Sequence, residues 1–182
     1  MTRTGEVIVL AGPPGAGKST VARLLADDDP GPGVHLHTDD FWAFIRRGVI
    51  PPYLPEAQRQ NETVIGVLAR AAAGYAAGGY RVVVDSVVGP WFVGVFADVA
   101  AEAGVPLHYA VLRPDEETTL ARGTTRESHP LTDPGPIRLM YAQFADLGPY
   151  EGHALDTTDH TPADSADAVR KAVGTGALRL EG

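Results

Sequence analysis

The chain alternates short apolar, β-branched runs with longer stretches of helical period. Glu6 to Ala11 (EVIVLA) has the length and composition of a strand buried in a parallel sheet. Val21, Leu24 and Leu25 follow at helical spacing within Thr20 to Asp27. A turn cluster, Asp28 to Gly33, leads to a second strand, Val34 to Thr38, ending at Asp39-Asp40. Phe41 to Arg47 reads as a short helix, and Pro51, Pro52 and Pro55 make an irregular connection. From Glu56 to Ala77, Val64, Ile65, Leu68, Ala71, Ala72 and Tyr75 keep a helical period until Gly78-Gly79 stops it.

Tyr80 to Val84 predicts a third strand ending at Asp85, and Trp91 to Ala103 a helix closed by Gly104. Leu107 to Leu112 is a fourth strand. Asp115 to Arg122 is helical, with an acidic start that suits the helix dipole. Gly123 to Gly135 is polar and Pro-containing, the pattern of a mobile loop. Ile137, Met140, Tyr141 and Phe144 mark another helix, and His153 to Asp156 a short fifth strand. Thr161-Pro162-Ala163-Asp164 is a capped helix start, and Ala166, Val169 and Val173 carry that helix to Gly174.

This alternation predicts an α/β fold with a doubly wound parallel sheet and helices on both faces. Ligands bind such sheets at the carboxyl ends of the strands, near a switch in strand order. Asp39, Asp85 and the glycine-rich stretch after Ala11 all fall at predicted strand ends, so they converge. No internal repeat or linker divides the chain, and residues 1–182 are expected to form one domain.

Charge and composition narrow the function classes. The formal net charge of −8 argues against general affinity for nucleic acid or an anionic membrane surface. No apolar run reaches the ~18 residues of a membrane span, and the N-terminal segment has no evident cleavage site, so a cytoplasmic protein is expected. With no cysteine in the chain, disulfides, thiolate metal sites and cysteine nucleophiles drop out. Lysine occurs only at Lys18 and Lys171.

Lys18 lies in the strongest motif. Gly12, Gly17, Lys18 and Ser19 satisfy G-x-x-x-x-G-K-[ST], with a strand before and a helix after. In such a loop the glycines let backbone N–H groups curl around phosphate oxygens, and the helix N-terminus adds its positive dipole end. Residues Gly12, Pro13, Pro14, Gly15, Ala16, Gly17, Lys18, Ser19 and Thr20 are therefore expected to bind the phosphates of a nucleotide. Lys18 would reach the β- and γ-phosphates, and Ser19 would ligate Mg²⁺. The motif makes the expected architecture a three-layer P-loop NTPase fold with a five-stranded parallel sheet.

Asp85 ends an apolar strand, where a carboxylate would hold Mg²⁺ directly or through water; a turn or helix cap is the alternative. For the Asp39-Asp40 pair, strand alternation separates the two side chains. One carboxylate could accept the proton of a substrate hydroxyl, or both could organise Mg²⁺ waters; Asp39 is assigned to that chemistry and Asp40 to capping the next helix. Arg122 and Arg126 flank the polar segment, and a lid over about residues 115–135 would carry them to the transferring phosphoryl group. They share a helix face if the helix extends that far; solvated surface arginine is the other reading, and Arg113 could end its strand in a salt bridge. His35 and His37 are assigned to packing or to contact with Asp39. Trp42, Trp91 and Phe92 pack in the core or line an acceptor pocket. Arg46, Arg59, Gln60 and Asn61 are candidate acceptor contacts.

These residues resemble the small P-loop kinases of the nucleoside-monophosphate-kinase type, and more closely the chloramphenicol phosphotransferase-like and shikimate-kinase-like proteins. Gly12 to Ser19 matches the family's loop, Thr38-Asp39-Asp40 the segment with the acceptor base, and Val84-Asp85 the acid-ended third strand. Arg113-Pro114-Asp115, Arg122 and Arg126 match the arginine-bearing lid. The resemblance implies ATP and Mg²⁺ as cofactors and transfer of the γ-phosphoryl group to a hydroxyl of a small molecule. A P-loop ATPase or regulatory nucleotide-binding protein with no such acceptor is the alternative. Neither the acceptor nor the oligomeric state follows from the sequence. The kinase reading predicts a cavity between Asp39 and Asp85, roofed by the long helix from Glu56.

Overall fold

A computed structural model describes residues 4–28, 30–125 and 132–180. In chain order the elements are β1 (Glu6–Ala11), α1 (Lys18–Asp27), β2 (Gly33–His37), α2 (Thr38–Ala43), α3 (Gln58–Ala77), β3 (Arg81–Asp85), α4 (Pro90–Ala103) and β4 (Leu107–Leu112). They continue as α5 (Glu116–Thr124), α6 (Pro134–Gln143), β5 (Ala154–Leu155), α7 (Pro162–Gly174) and β6 (Arg179–Leu180). Short 3-10 turns cover Pro55–Ala57 and Gly148–His153.

The sheet runs β2-β3-β1-β4-β5, all parallel, with β6 antiparallel to the start of β4. Alternation along the strands makes two cores. Val7, Val9, Val82, Val84 and Tyr109 face α3 and α4. Ile8, Leu10, Val83, Ala110 and Leu112 face α1 and α7. The central strands bury both faces, so they read as continuous apolar runs.

The chain leaves β1 toward β2 on one side, and later crosses from β3 to β4 on the other. That reversal puts the glycine loop at the switch point, where open α/β sheets bind their ligands. Register aligns the strand ends: Leu10 pairs with Asp85, and His37 pairs with Asp85 from the other side.

Local chemistry starts the helices. Asp115 accepts from the Thr118 N–H, Asp133 accepts from the Gly135 N–H, and Thr161 and Asp164 form a reciprocal capping box. Proline occupies the first turn of α4, α6 and α7, where its missing N–H costs no helix bond.

Several boundaries differ from expectation. β2 stops at His37, and Thr38 already belongs to α2, so Asp39 and Asp40 lie in the first turn of a helix. They therefore diverge by about 100° around a helix axis, not across a strand. Asp40 caps nothing: the N-cap of α2 is His37, with no side-chain cap bond. On α3 the buried stripe is Val64, Ile65, Leu68, Ala69, Ala72, Ala73 and Ala76, while Tyr75 is exposed. The segment expected as a loop over Gly123 to Gly135 begins in α5 and ends in α6; residues 126–131 lie outside the described ones. β6 was not foreseen, because two residues carry no period.

Candidate active site

The loop between β1 and α1 is buried on its inner side, from Gly12 to Ala16, and turns Gly17, Ser19 and Thr20 outward. Two glycines show what shapes it. At Gly15, φ is 93° and an added Cβ would sit 2.3 Å from the Thr119 carbonyl, so α5 presses its backbone onto the loop. At Gly17, φ is 87° and an added Cβ would meet nothing within 4 Å. Gly17 is the N-cap of α1, so this open, side-chain-free position lies where the helix presents its unpaired N–H groups. An anion of phosphate size fits that arrangement.

Lys18 follows as the first helical residue and is 9% exposed. Its Nζ donates to the Pro13 carbonyl at 3.0 Å, so the ammonium is folded back against its own loop.

Asp85, 3% exposed, ends β3 beside it. Burial opposes its charged form, yet the His35 imidazole, the Lys18 ammonium and the Ser19 hydroxyl hold the carboxyl pKa below its ordinary value. One oxygen, Oδ2, is buried with no hydrogen-bond partner. His35 Nε2 and His37 Nε2 approach it at 3.7 and 3.6 Å, too far for a conventional hydrogen bond. An anionic oxygen left unsatisfied costs free energy unless something completes it. That oxygen and the Ser19 hydroxyl are hard donors of the type Mg²⁺ prefers. Among the described residues no group of three or more His, Asp and Glu could hold a metal ion. Mg²⁺ bound by one or two protein oxygens plus phosphate needs no such cage.

Thr38 joins this strand end to α2: its hydroxyl donates to the Asp85 carbonyl. Asp39 is the next residue and is exposed. Asp40, also exposed, faces His37 Nδ1 at 3.8 Å.

Of the predicted arginines, Arg113 and Arg122 are described. Arg122, half-buried on α5, donates to the Thr158 carbonyl at 3.3 Å. α5 ends at Thr124, and Arg126 lies outside the described residues. Arg113 makes a bidentate pair with Glu151 at 3.1 and 2.9 Å and also donates to the Phe144 carbonyl, so it braces the structure.

Gln60 and Asn61 take a role that their residue types did not reveal. Gln60 binds both the N–H and the carbonyl of Ile50, and Asn61 links Trp42 Nε1 to the Pro52 carbonyl. They brace the connection between α2 and α3. The contact of His35 and His37 with Asp85, rather than Asp39, was also missed. The H-x-H spacing places both on one face, but only the strand order shows that β3 is their neighbour.

Cavities of 410 and 610 Å³ open at the amino ends of the strands, around Leu107 and Arg179 and around Glu6, Arg81 and His108. Neither is the cavity expected between Asp39 and Asp85.

The fold and loop define a P-loop protein of the α/β class. The family model described as an AAA domain matches residues 7–143, and the chain belongs to that family. No protein of curated function matches the sequence. Among solved structures it is similar to a sugar kinase from Janibacter sp. HTCC2649, at 20% identity and a TM-score of 0.70, covering 97% of this chain and 99% of that one. The Mycobacterium tuberculosis APS kinase in complex with AMPPNP and APS superposes with a TM-score of 0.69 at 16% identity, over 94% and 98% of the two chains. A gluconokinase from Sinorhizobium meliloti 1021 does so at 0.63 and 19%, over 96% and 95%. At these identities the likeness is one of fold. No helix among the described residues is long and apolar enough to cross a membrane.

Proposed function

We propose that this chain is an ATP-dependent phosphotransferase that moves the γ-phosphoryl group to a hydroxyl of a small molecule. The observation that carries the reading is the Thr38–Asp85 hydrogen bond, which ties the helix bearing Asp39 to the strand end bearing Asp85. A candidate base is thereby joined to a candidate metal ligand beside the phosphate loop.

In this mechanism the backbone N–H groups of Gly15 to Thr20 and the Lys18 ammonium hold the ATP phosphates. Ser19 and Asp85 would hold Mg²⁺, and the ion would supply positive charge against the phosphate oxygens. Asp39 accepts the proton of the acceptor hydroxyl as its oxygen bonds to the γ-phosphorus. The bond from that phosphorus to the bridging oxygen breaks, and ADP leaves. Lys18 releases the Pro13 carbonyl and follows the charge onto the phosphoryl oxygens, a task also assigned to Arg122 and Arg126. Positioning and electrostatics supply most of the acceleration in such transfers. The reaction draws on ATP, and we place it in the cytoplasm. Two features oppose a nucleic-acid acceptor or a membrane partner: the net charge of −8 and the absence of a spanning helix among the described residues.

The test is ADP release with ATP–Mg²⁺ across a panel of hydroxyl compounds. Acceptor-dependent release is expected, with kcat lowered about 10²- to 10⁴-fold in Asp39→Asn. Acceptor-independent release that survives this substitution would sink the mechanism and identify an ATPase.

A further inference from the structure

Resting on the phosphotransferase reading and its assignment of Asp85 to Mg²⁺, we infer that His35 and His37 are positioning residues. Their imidazoles hold the buried Asp85 carboxylate in place for the cation, and His35 is the principal of the two.

The sheet brings the three side chains together. β2 pairs with β3 in the register His35 to Val83 and His37 to Asp85. Side chains alternate along a strand, so both histidines share the face of Val83, Ile8 and Leu10. That face is covered by α1, which opens with Lys18 and Ser19. Val34 and Leu36 point the other way and pack against the opposite core. An apolar residue at position 35 would suit this face, whereas imidazole brings a polar atom that burial penalises. His35 Nε2 is such an atom: it is buried and has no hydrogen-bond partner.

Two orphaned atoms therefore face each other. His35 Nε2 lies 3.7 Å from Asp85 Oδ2, itself buried and without a hydrogen bond, and His37 Nε2 lies 3.6 Å from the same oxygen. A shift of about 0.8 Å brings such a pair to ordinary N–H···O length. Contacts of this kind tighten when the ligands of a catalytic site bind. The other groups that act on Asp85 are Lys18 and Ser19. In the proposed reaction Lys18 moves onto the phosphates, and the Ser19 oxygen turns to the ion. The imidazoles are then the remaining donors beside a carboxylate only 3% exposed. They act on that carboxylate and not as metal ligands, since no group of three His, Asp and Glu among the described residues could hold an ion. His37 also faces Asp40 through Nδ1 at 3.8 Å, so its ring is divided between two carboxylates, while His35 is directed at Asp85. Carboxylates that bind metal are themselves held by hydrogen bonds, and loss of such a partner costs about 10- to 100-fold in metal affinity.

The test uses the full chain and a non-hydrolysable ATP analogue, with Mg²⁺ as the titrated probe. Calorimetry gives the Mg²⁺ concentration for half-maximal binding of the analogue, and the affinity for the analogue without Mg²⁺. His35→Ala should raise the first about 10-fold or more and leave the second unchanged. His35→Gln, whose amide nitrogen can stand in for Nε2, should recover most of that loss. In an Asp85→Asn background His35→Ala should have no further effect, because the carboxylate it would hold is gone. A Mg²⁺ requirement that His35→Ala does not move would overturn the inference and assign the ring to packing, whatever happens to Tm. An equal rise with and without the Asp85 carboxylate would overturn it too. Both outcomes leave the phosphotransferase reading intact. A Mg²⁺ requirement that Asp85→Asn itself does not raise would overturn the metal assignment on which the inference rests. Failure of the phosphotransferase reading shows separately, as ADP release from ATP that is independent of every acceptor.

Discussion

At the amino ends of the strands, far along the sheet from the phosphate loop, a charged cluster supports the fold alone. Glu6 accepts from Arg81 at 2.7 Å and lies 3.2 Å from His108 Nε2. The His108 contact and the Arg81 guanidinium outweigh burial and bring the Glu6 pKa down from 4.5 to about 2. At about 1.36 kcal/mol per tenfold change in proton affinity, that drop corresponds to at most about 3 kcal/mol. Glu6 is partly solvated, and screening reduces the figure to about 1–2 kcal/mol. A depressed carboxylate stabilises the fold above its unfolded pKa and loses that contribution as pH falls through the folded value. Glu6→Gln should therefore lower stability by about 1–2 kcal/mol at pH 6, or roughly 2–8 °C in Tm for a chain of this size. The gap to the parent protein should narrow as pH falls from 4.5 toward 3, because the unfolded chain's Glu6 takes up a proton there while the folded one, with its pKa at about 2, stays largely charged. Urea midpoints of both proteins across pH 3 to 6 measure this. A gap that stays constant over that range, or no gap at pH 6, would refute the linkage argument. ATP turnover should be unchanged, which makes this variant a control for substitutions at the other end of the sheet.

Lys18→Ala removes a charge-assisted phosphate contact and should weaken ATP binding about 10- to 100-fold by calorimetry; unaltered affinity would show that the loop does not hold the nucleotide. Asp85→Asn should raise the Mg²⁺ concentration for half-maximal nucleotide binding about tenfold or more. Because its pKa is lowered in the fold, the Asp85 carboxylate also contributes stability above the ordinary aspartate range, lost as pH falls, and the Asn variant should lack that pH dependence. Gly15→Ala meets both a positive φ and the Thr119 carbonyl, and should cost about 1–3 kcal/mol in thermal or urea unfolding. Gly17→Ala has free space around it and should be the milder of the two for stability, yet should impair nucleotide binding; equal unfolding midpoints for the pair would contradict the packing described for α5 on the loop.

The order of elements and the phosphate loop were legible from the sequence because both rest on local rules. A buried parallel strand has to be a continuous apolar run, as at Glu6–Ala11 and Leu107–Leu112. Phosphate cradling needs glycine and lysine at set spacings, as at Gly12 to Ser19. Thr161 with Asp164, and Gly104, mark helix ends by the chemistry of one turn. What the sequence could not assign depends on partners distant along the chain. Gln60 and Asn61 have the residue types of substrate contacts, but Ile50, Trp42 and Pro52 claim them once the connection folds over α3. Arg113 is claimed in the same way by Glu151, 38 residues onward. His35 and His37 meet Asp85 only because β3 inserts between β2 and β1, an order that no local pattern encodes. The sequence by itself determined the order of strands and helices and the glycine-rich loop between β1 and α1. Tertiary structure decided which carboxylate stays buried and under-bonded, which arginine is held by the fold, and which aromatic faces remain open, because each depends on side chains that only the folded chain brings together.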